Sequence, residues 1–146
     1  SKSPKRWRCE MTAELLYLTL AALLTGCLWI PVVVGYVSAR GPLTPQDYVE
    51  APTSALPNWV NRANRAHQNA VENLGPFAAV VLVAHLAGVS TSVTATAAAV
   101  YFWARLAHAV VHIAGFPRFM ARTVLFTVGW LAFISFAVEL LRLAAF

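Results

Sequence analysis

Charged side chains are scarce in this sequence. Only 12% of its 146 residues are Asp, Glu, Lys or Arg, whereas 59% are hydrophobic. A soluble domain normally carries about 25% charged residues. The scarcity of charge therefore excludes an ordinary soluble domain and predicts an integral membrane protein, with room for a single domain.

Cysteine is also scarce, and internal repeats and low-complexity tracts are absent. Cys9 lies in a basic N-terminal tail, and Cys27 lies in the middle of an apolar segment. A bridge between these two positions is not expected, which excludes a disulfide framework.

Acidic residues are the rarer charged group, with six against eleven Lys and Arg and a net charge of +5. The basic residues cluster at the N-terminus and near predicted helix ends, where membrane proteins keep their cations. This distribution does not indicate nucleic-acid binding. We expect membrane lipids as partners instead.

Four apolar segments predict four transmembrane helices, over about 15–37, 59–88, 93–114 and 121–141. Each is long enough to cross a hydrocarbon core of about 30 Å. Pro31 predicts a kink in the first helix. We expect one all-α domain over 12–146, preceded by a basic tail over 1–11.

The predicted orientation in the membrane depends on the residue from which Lys and Arg are counted. Over the whole chain, Lys and Arg are equally frequent on the two sides. Counted from Met11, a possible natural start, they favour the side of loops 1–2 and 3–4. The positive-inside rule then predicts that these loops are cytoplasmic.

The second predicted helix carries a polar stripe on one face. With 100° per residue, Arg62, Arg65, Asn69 and Glu72 fall within an arc of about 80°. An ionisable residue that faces lipid costs about 2.5 kcal/mol or more at mid-helix. The stripe is therefore expected to face the bundle interior or a wet cavity, either to bind a ligand or to hold helices together.

The third predicted helix carries a similar stripe, in which Tyr101, Arg105, His108 and His112 fall within about 60°. Arg105 has no acidic neighbour on its own helix, so we expect Glu72 to face it or to share a ligand with it. The spacing of the two histidines also suits a metal ion or haem, but no third ligand is near and no metal site is predicted. The surplus of guanidinium groups favours a carboxylate-bearing ligand.

Two short motifs resemble those of one known family. The stretch "RAHQNAVEN", residues 65–73, resembles the R-A-x-x-N-x-x-E signature of the MAPEG family, the membrane-associated proteins in eicosanoid and glutathione metabolism. The stretch "ARLAHAVVHIAG", residues 104–115, resembles the third helix of its microsomal prostaglandin E synthase branch. The resemblance implies a four-helix bundle that forms a homotrimer with glutathione between subunits. We expect a bacterial member, in the inner membrane.

The resemblance also implies roles for individual residues. Arg65 would hold a glutathione carboxylate, and Arg122 would activate the thiol. Arg118 is the alternative for the second role, because the turn before Arg122 is one residue longer than in the branch compared. The other implied glutathione contacts are Arg40, Asn69, Glu72, Arg105, His108 and Thr123.

The sequence departs from the family pattern at three further positions. His112 and Phe126 stand where relatives have tyrosines, and Gln68 stands where the branch has a basic residue. His112 would replace one phenol as proton donor or base, which makes Arg122 and His112 the expected catalytic pair.

Two functions remain open at this point. The first is a glutathione-dependent transferase or peroxidase that acts on a lipophilic electrophile or hydroperoxide. The second is a non-catalytic lipid-binding, scaffold or accessory membrane subunit, which the loss of the tyrosines favours.

Overall fold

The computed structural model describes residues 10–50, 55–117 and 120–144, and every regular element in that part of the chain is helical. Most of the basic tail, Cys9 and Arg118 lie outside the described residues. The elements are α1 (Ala13–Cys27), α2 (Trp29–Arg40), a short 3-10 helix (Pro45–Tyr48), α3 (Asn58–Leu86), α4 (Ser92–Ala114) and α5 (Ala121–Ala144).

Four helical segments are long and apolar enough to cross a membrane: Ala13–Arg40, Asn58–Leu86, Ser92–Ala114 and Ala121–Leu143. Their outer faces expose many large apolar side chains, among them Trp29, Trp103 and Trp130. Soluble monomers rarely expose apolar patches of this extent. The predicted fold class, an all-α integral membrane protein with four spanning helices, is confirmed.

The first spanning segment is interrupted at Leu28, so the helix predicted over 15–37 is two helices. Pro31 has no N–H to donate to the carbonyl of Cys27, and its ring crowds that carbonyl. At the interruption itself, the Leu28 N–H donates to two carbonyls, Leu24 O at 3.0 Å and Thr25 O at 3.3 Å. The irregularity that the proline predicted therefore lies one turn before it.

The core lies between α3, α4 and α5, with α1 closing one side. Phe77 is fully buried and stacks on Tyr101, with ring centroids 3.8 Å apart. It also meets Phe136 of α5 edge to face at 6.2 Å. Such aromatic pairs stabilise a fold by about 0.5–1.5 kcal/mol beyond area burial. Tyr101 thus anchors the start of the polar stripe on α4.

Glu14 fastens α1 to the first turn of α4. Its side chain is 3% exposed and accepts hydrogen bonds from the hydroxyls of Ser90 and Thr94. A carboxylate at a helix N-terminus also interacts favourably with the helix dipole. This contact fixes the bundle at the end opposite the α4–α5 turn.

Close packing at Gly35 fastens α2 to α3. A Cβ added at Gly35 would lie 2.5 Å from a methyl group of Val60, which is itself fully buried. The absent side chain lets the two helices approach. Gly35 thus brings α2 against the first turn of α3.

Candidate functional site

Arg105 is the most buried cation of the site, with 5% of its surface exposed. Its Nη1 donates to Asn69 Oδ1 at 3.1 Å, and its Nη2 donates to Asn73 Oδ1 at 3.0 Å. The two asparagines lie four residues apart on α3, so both amides reach the same guanidinium. Of the stripe predicted on α3, Asn69 therefore meets the α4 stripe inside the bundle, whereas Arg65 and Glu72 are exposed.

Aromatic rings enclose the Arg105 guanidinium. Its Cζ lies 5.3 Å from the centre of the Tyr101 ring and 4.8 Å from that of Phe126. Cations interact favourably with aromatic faces at this range. A Cβ at Gly129 of α5 would lie 3.2 Å from Arg105 Nε, so the glycine leaves space for the guanidinium. Phe126 therefore covers a cation here.

His108 and His112 continue the stripe toward the end of α4. His108 is 4% exposed and lies 6.2 Å from Phe126, and its ring is 5.4 Å from that of His112. Both ring nitrogens of His112 are buried and have no hydrogen-bond partner within the described residues. Within the same residues, no group of three His, Cys, Asp or Glu side chains could hold a metal ion. A neutral His112 ring therefore has one hydrogen-bond donor and one acceptor available to a ligand.

A cleft of about 360 Å³ opens beside His112 at the α4–α5 turn. Arg62, Arg122 and Thr123 line it together with Gly115 and the turn that follows. The charges of Arg122, Arg65 and Arg62 are near enough to interact electrostatically with the His112 ring. The structure therefore gathers cations around one histidine at this end of the bundle.

Arg62 is held in the cleft by the end of α4. Its Nε donates at 3.1 Å to the carbonyl of Ile113, which lies in the last turn where helix carbonyls lack backbone partners. Gly115 ends the helix with φ 71°, a left-handed conformation that favours glycine. A Cβ at Gly115 would lie 2.7 Å from the Arg62 guanidinium, so both the turn and the arginine require this residue.

Glu72 does not pair with Arg105 within the chain. The carboxylate is on an exposed part of α3, whereas Arg105 is buried against the two asparagine amides. All six acidic residues lie in the described part of the chain, and the ion pair found there joins Glu139 to Arg142. The expected direct contact was wrong, because Asn69 and Asn73 occupy the face toward α4. A ligand shared by the two residues stays a prediction.

Arg40 and Arg65 lie away from the Arg105 cluster. Arg40 stacks over the Tyr36 ring at 5.4 Å and lies in a separate groove with Asp47. Hydrogen bonds from the backbone and hydroxyl of Thr44 lower the pKa of Asp47, and the charge of Arg40 adds to this effect. Arg65 is exposed on α3, as Glu72 is. A ligand that touched both of these arginines would have to extend beyond the cleft.

Two residues of the site were not among the expected catalytic residues or glutathione contacts. Asn73 binds Arg105, and Arg62 lines the cleft. Asn73 follows Asn69 by four residues and continues the polar stripe, so its spacing was a usable signal. Arg62 is the first residue of the polar stripe on α3, but it lies before the family motif at residues 65–73.

The sequence pattern of the MAPEG family matches residues 15–142 of the chain. That range contains every residue of the Arg105 cluster and of the cleft. No curated protein matches the sequence significantly.

Proposed function

The chain belongs to the MAPEG family, and from that premise we propose that it is a glutathione-dependent transferase or peroxidase of the membrane. Its second substrate would be a lipophilic electrophile or hydroperoxide that arrives from the bilayer. The observation that carries the proposal is the cationic cleft. Arg62 and Arg122 line it together with His112, whose ring nitrogens have no hydrogen-bond partner within the described residues. Such a cleft suits an anionic thiol compound.

The chemistry we propose begins with loss of the thiol proton. A nearby cation favours the thiolate form, and an unpartnered histidine nitrogen can accept the proton. Arg122 and His112 are the residues proposed for these two roles. The sulfur then forms a bond to the electrophilic carbon while the leaving group departs with the bonding electrons. With a hydroperoxide, sulfur attacks the distal oxygen, and the alcohol leaves with the proton that the histidine had accepted. A second glutathione thiol then attacks the sulfur of the resulting sulfenic acid, which forms the disulfide and releases water.

The binding roles in this proposal follow the family resemblance. Arg65 would hold a carboxylate, and the remaining contacts would be Arg40, Asn69, Glu72, Arg105, His108 and Thr123. Because Arg40 and Arg65 lie outside the cleft, one glutathione would meet all of these residues only at an interface between copies of the chain. We therefore retain the homotrimer as part of the proposal.

A non-catalytic function is the second candidate, and one observation favours it. Phe126 packs on Arg105 at 4.8 Å and offers no hydroxyl to a bound sulfur. A protein that had lost catalysis would keep such a packing role. In that case it would act as a lipid-binding, scaffold or accessory membrane subunit.

Calorimetric titration of the detergent-purified protein with glutathione tests the proposal. We expect saturable binding that Arg65→Ala weakens and Arg142→Ala does not, because Arg142 lies at the other end of the bundle beside Glu139. An absence of binding by the wild-type protein would reject the enzyme and leave the second candidate.

A further inference from the structure

Arg105 is a buried cation whose hydrogen-bond acceptors are all neutral. Asn69 and Asn73 supply both acceptor oxygens, and the buried Nε has no hydrogen-bond partner within the described residues. No carboxylate side chain of the chain forms an ion pair with Arg105, since all six acidic residues are described and none lies against it. Buried charges are usually paired, so this arrangement calls for an explanation.

Aspartate at position 73 would compensate the charge of Arg105, although it could not donate the hydrogen bond that Asn73 Nδ2 makes to the Asn69 carbonyl. Asp and Asn have nearly the same shape, and a carboxylate makes the stronger hydrogen bond to a guanidinium. An asparagine holds the guanidinium in place but leaves its charge uncompensated. That charge then remains available to an anion bound nearby, in surroundings where water screens it poorly.

Asn73 is itself held by its neighbours. Its Nδ2 donates to the backbone carbonyl of Asn69 at 2.8 Å, and its own backbone carbonyl accepts from the Tyr101 hydroxyl at 2.9 Å. Arginine has only donors, so the oxygen of each asparagine amide must be the atom that faces Arg105. The amide orientations are therefore chemically determined.

The same reasoning orients Asn69. Its Oδ1 is used by Arg105, and its Nδ2 makes no hydrogen bond among the described residues. Asn69 is half-buried, so this amide group is left as a donor that a ligand can reach. The group that Asn69 recognises would then be an acceptor, such as a carboxylate or amide oxygen.

We propose that Asn73 is a positioning residue of the glutathione site, which keeps Arg105 as an uncompensated buried cation and, through Arg105, directs the Asn69 amide to act as a donor. This inference rests on the proposed function of the site. It adds a residue to which the family resemblance assigned no role, and it states which end of Asn69 meets the ligand.

Asn73→Asp separates this role from a structural one. The new carboxylate would compensate Arg105, but the hydrogen bond to the Asn69 carbonyl would be lost. Because these two effects oppose each other, we expect a thermal unfolding midpoint close to that of the wild-type protein. Glutathione affinity should nevertheless fall by roughly tenfold or more, the loss expected when a charge-assisted contact is weakened. Asn58→Asp is the matched control, because it adds the same charge to an exposed position at the start of α3. It should leave affinity within about twofold.

Three outcomes of the titration are distinguishable. If the wild-type protein binds glutathione and Asn73→Asp binds it equally well, the positioning role is wrong while the proposed function stands. If the wild-type protein binds none, the proposed function fails and the inference fails with it. If Asn73→Asp does not fold, Asn73→Leu is measured instead. That variant releases Nη2 of Arg105 without adding charge, so affinity equal to wild type would overturn the proposal.

Discussion

Arginines of the same charge stand in different surroundings at this site. Arg105 is buried between two amides and two rings, whereas Arg122 is exposed at the edge of the cleft. Electrostatic interactions are stronger where water is excluded. Arg105 is therefore suited to fix the local field, and Arg122 is suited to meet a ligand that enters from water.

Arg65→Ala is expected to weaken glutathione binding by tens-fold. The exposed guanidinium on α3 is proposed to hold a distal carboxylate, and a charge-assisted hydrogen bond contributes roughly 1.5–3 kcal/mol. Titration calorimetry of both proteins measures the effect. An unchanged dissociation constant would remove Arg65 from the site.

Arg122→Ala is expected to suppress thiolate formation and to leave glutathione affinity within a few-fold of wild type. Arg122 lines the cleft beside His112, where the sulfur is proposed to lie. Absorbance near the thiolate band, recorded on protein saturated with glutathione, reports the effect. If Arg118→Ala abolishes that band and Arg122→Ala does not, the two arginines have been assigned in the wrong order.

At the scale of elements, a few side-chain contacts hold the helices against one another, and we expect substitutions at these contacts to be poorly tolerated. Glu14 joins α1 to α4, Gly35 lets α2 reach α3, and Arg62 joins α3 to the end of α4. The first two contacts lie away from the cleft. Variants at these contacts should therefore change stability before they change chemistry.

Gly35→Ala is expected to destabilise the protein by about 1–3 kcal/mol, because overpacking of a close helix contact forces the helices apart. The added Cβ would lie 2.5 Å from Val60. Gly26→Ala is the control, since no atom lies within 4 Å of its added Cβ and alanine favours the helix by about 0.5–1 kcal/mol. Thermal unfolding in one detergent compares the two variants, and equal midpoints would contradict the packing argument.

At the scale of the whole molecule, one chain carries its proposed site residues on surfaces that face different ways. Arg65 and Glu72 are exposed on α3, and Arg40 lies in a groove of its own beside Asp47. Exposed ionisable groups within spanning helices are costly against lipid. Contacts with further copies of the chain would remove that cost and bring the arginines together.

The family resemblance implies a homotrimer, so mass measurement in detergent is expected to give three copies of the chain. Crosslinking in native membranes provides the independent control, because detergent can dissociate membrane oligomers. A stable monomer in both experiments would contradict the trimer and, with it, the proposal that one glutathione meets Arg40, Arg65 and Arg122.

Reporter fusions at loops 1–2 and 3–4 test the proposed orientation. The Arg-rich ends of the helices lie on this side, so we expect both loops in the cytoplasm of a bacterial host. A fusion that is active only after export should be inactive at these loops and active at the 2–3 loop. The reverse pattern would invert the assignment.

The amino-acid sequence by itself determined the class of the protein. Long apolar segments are a local property, and each must become a helix in lipid because its backbone groups can bond only to one another. The polar stripes on α3 and α4 were equally readable, since the helical period places their members on one face. The family followed from residues 65–73 and 104–115, and the match over 15–142 agrees with it.

The partners of Arg105 were decided by the tertiary structure. Charge alone favoured Glu72, but the rotation of α3 against α4 directs Asn69 and Asn73 toward the guanidinium and leaves Glu72 outside. The contact between Arg62 and Ile113 likewise joins residues 51 positions apart. Helical periodicity specifies which residues share a face, whereas the packing of side chains such as Phe77 and Val60 specifies where each face points.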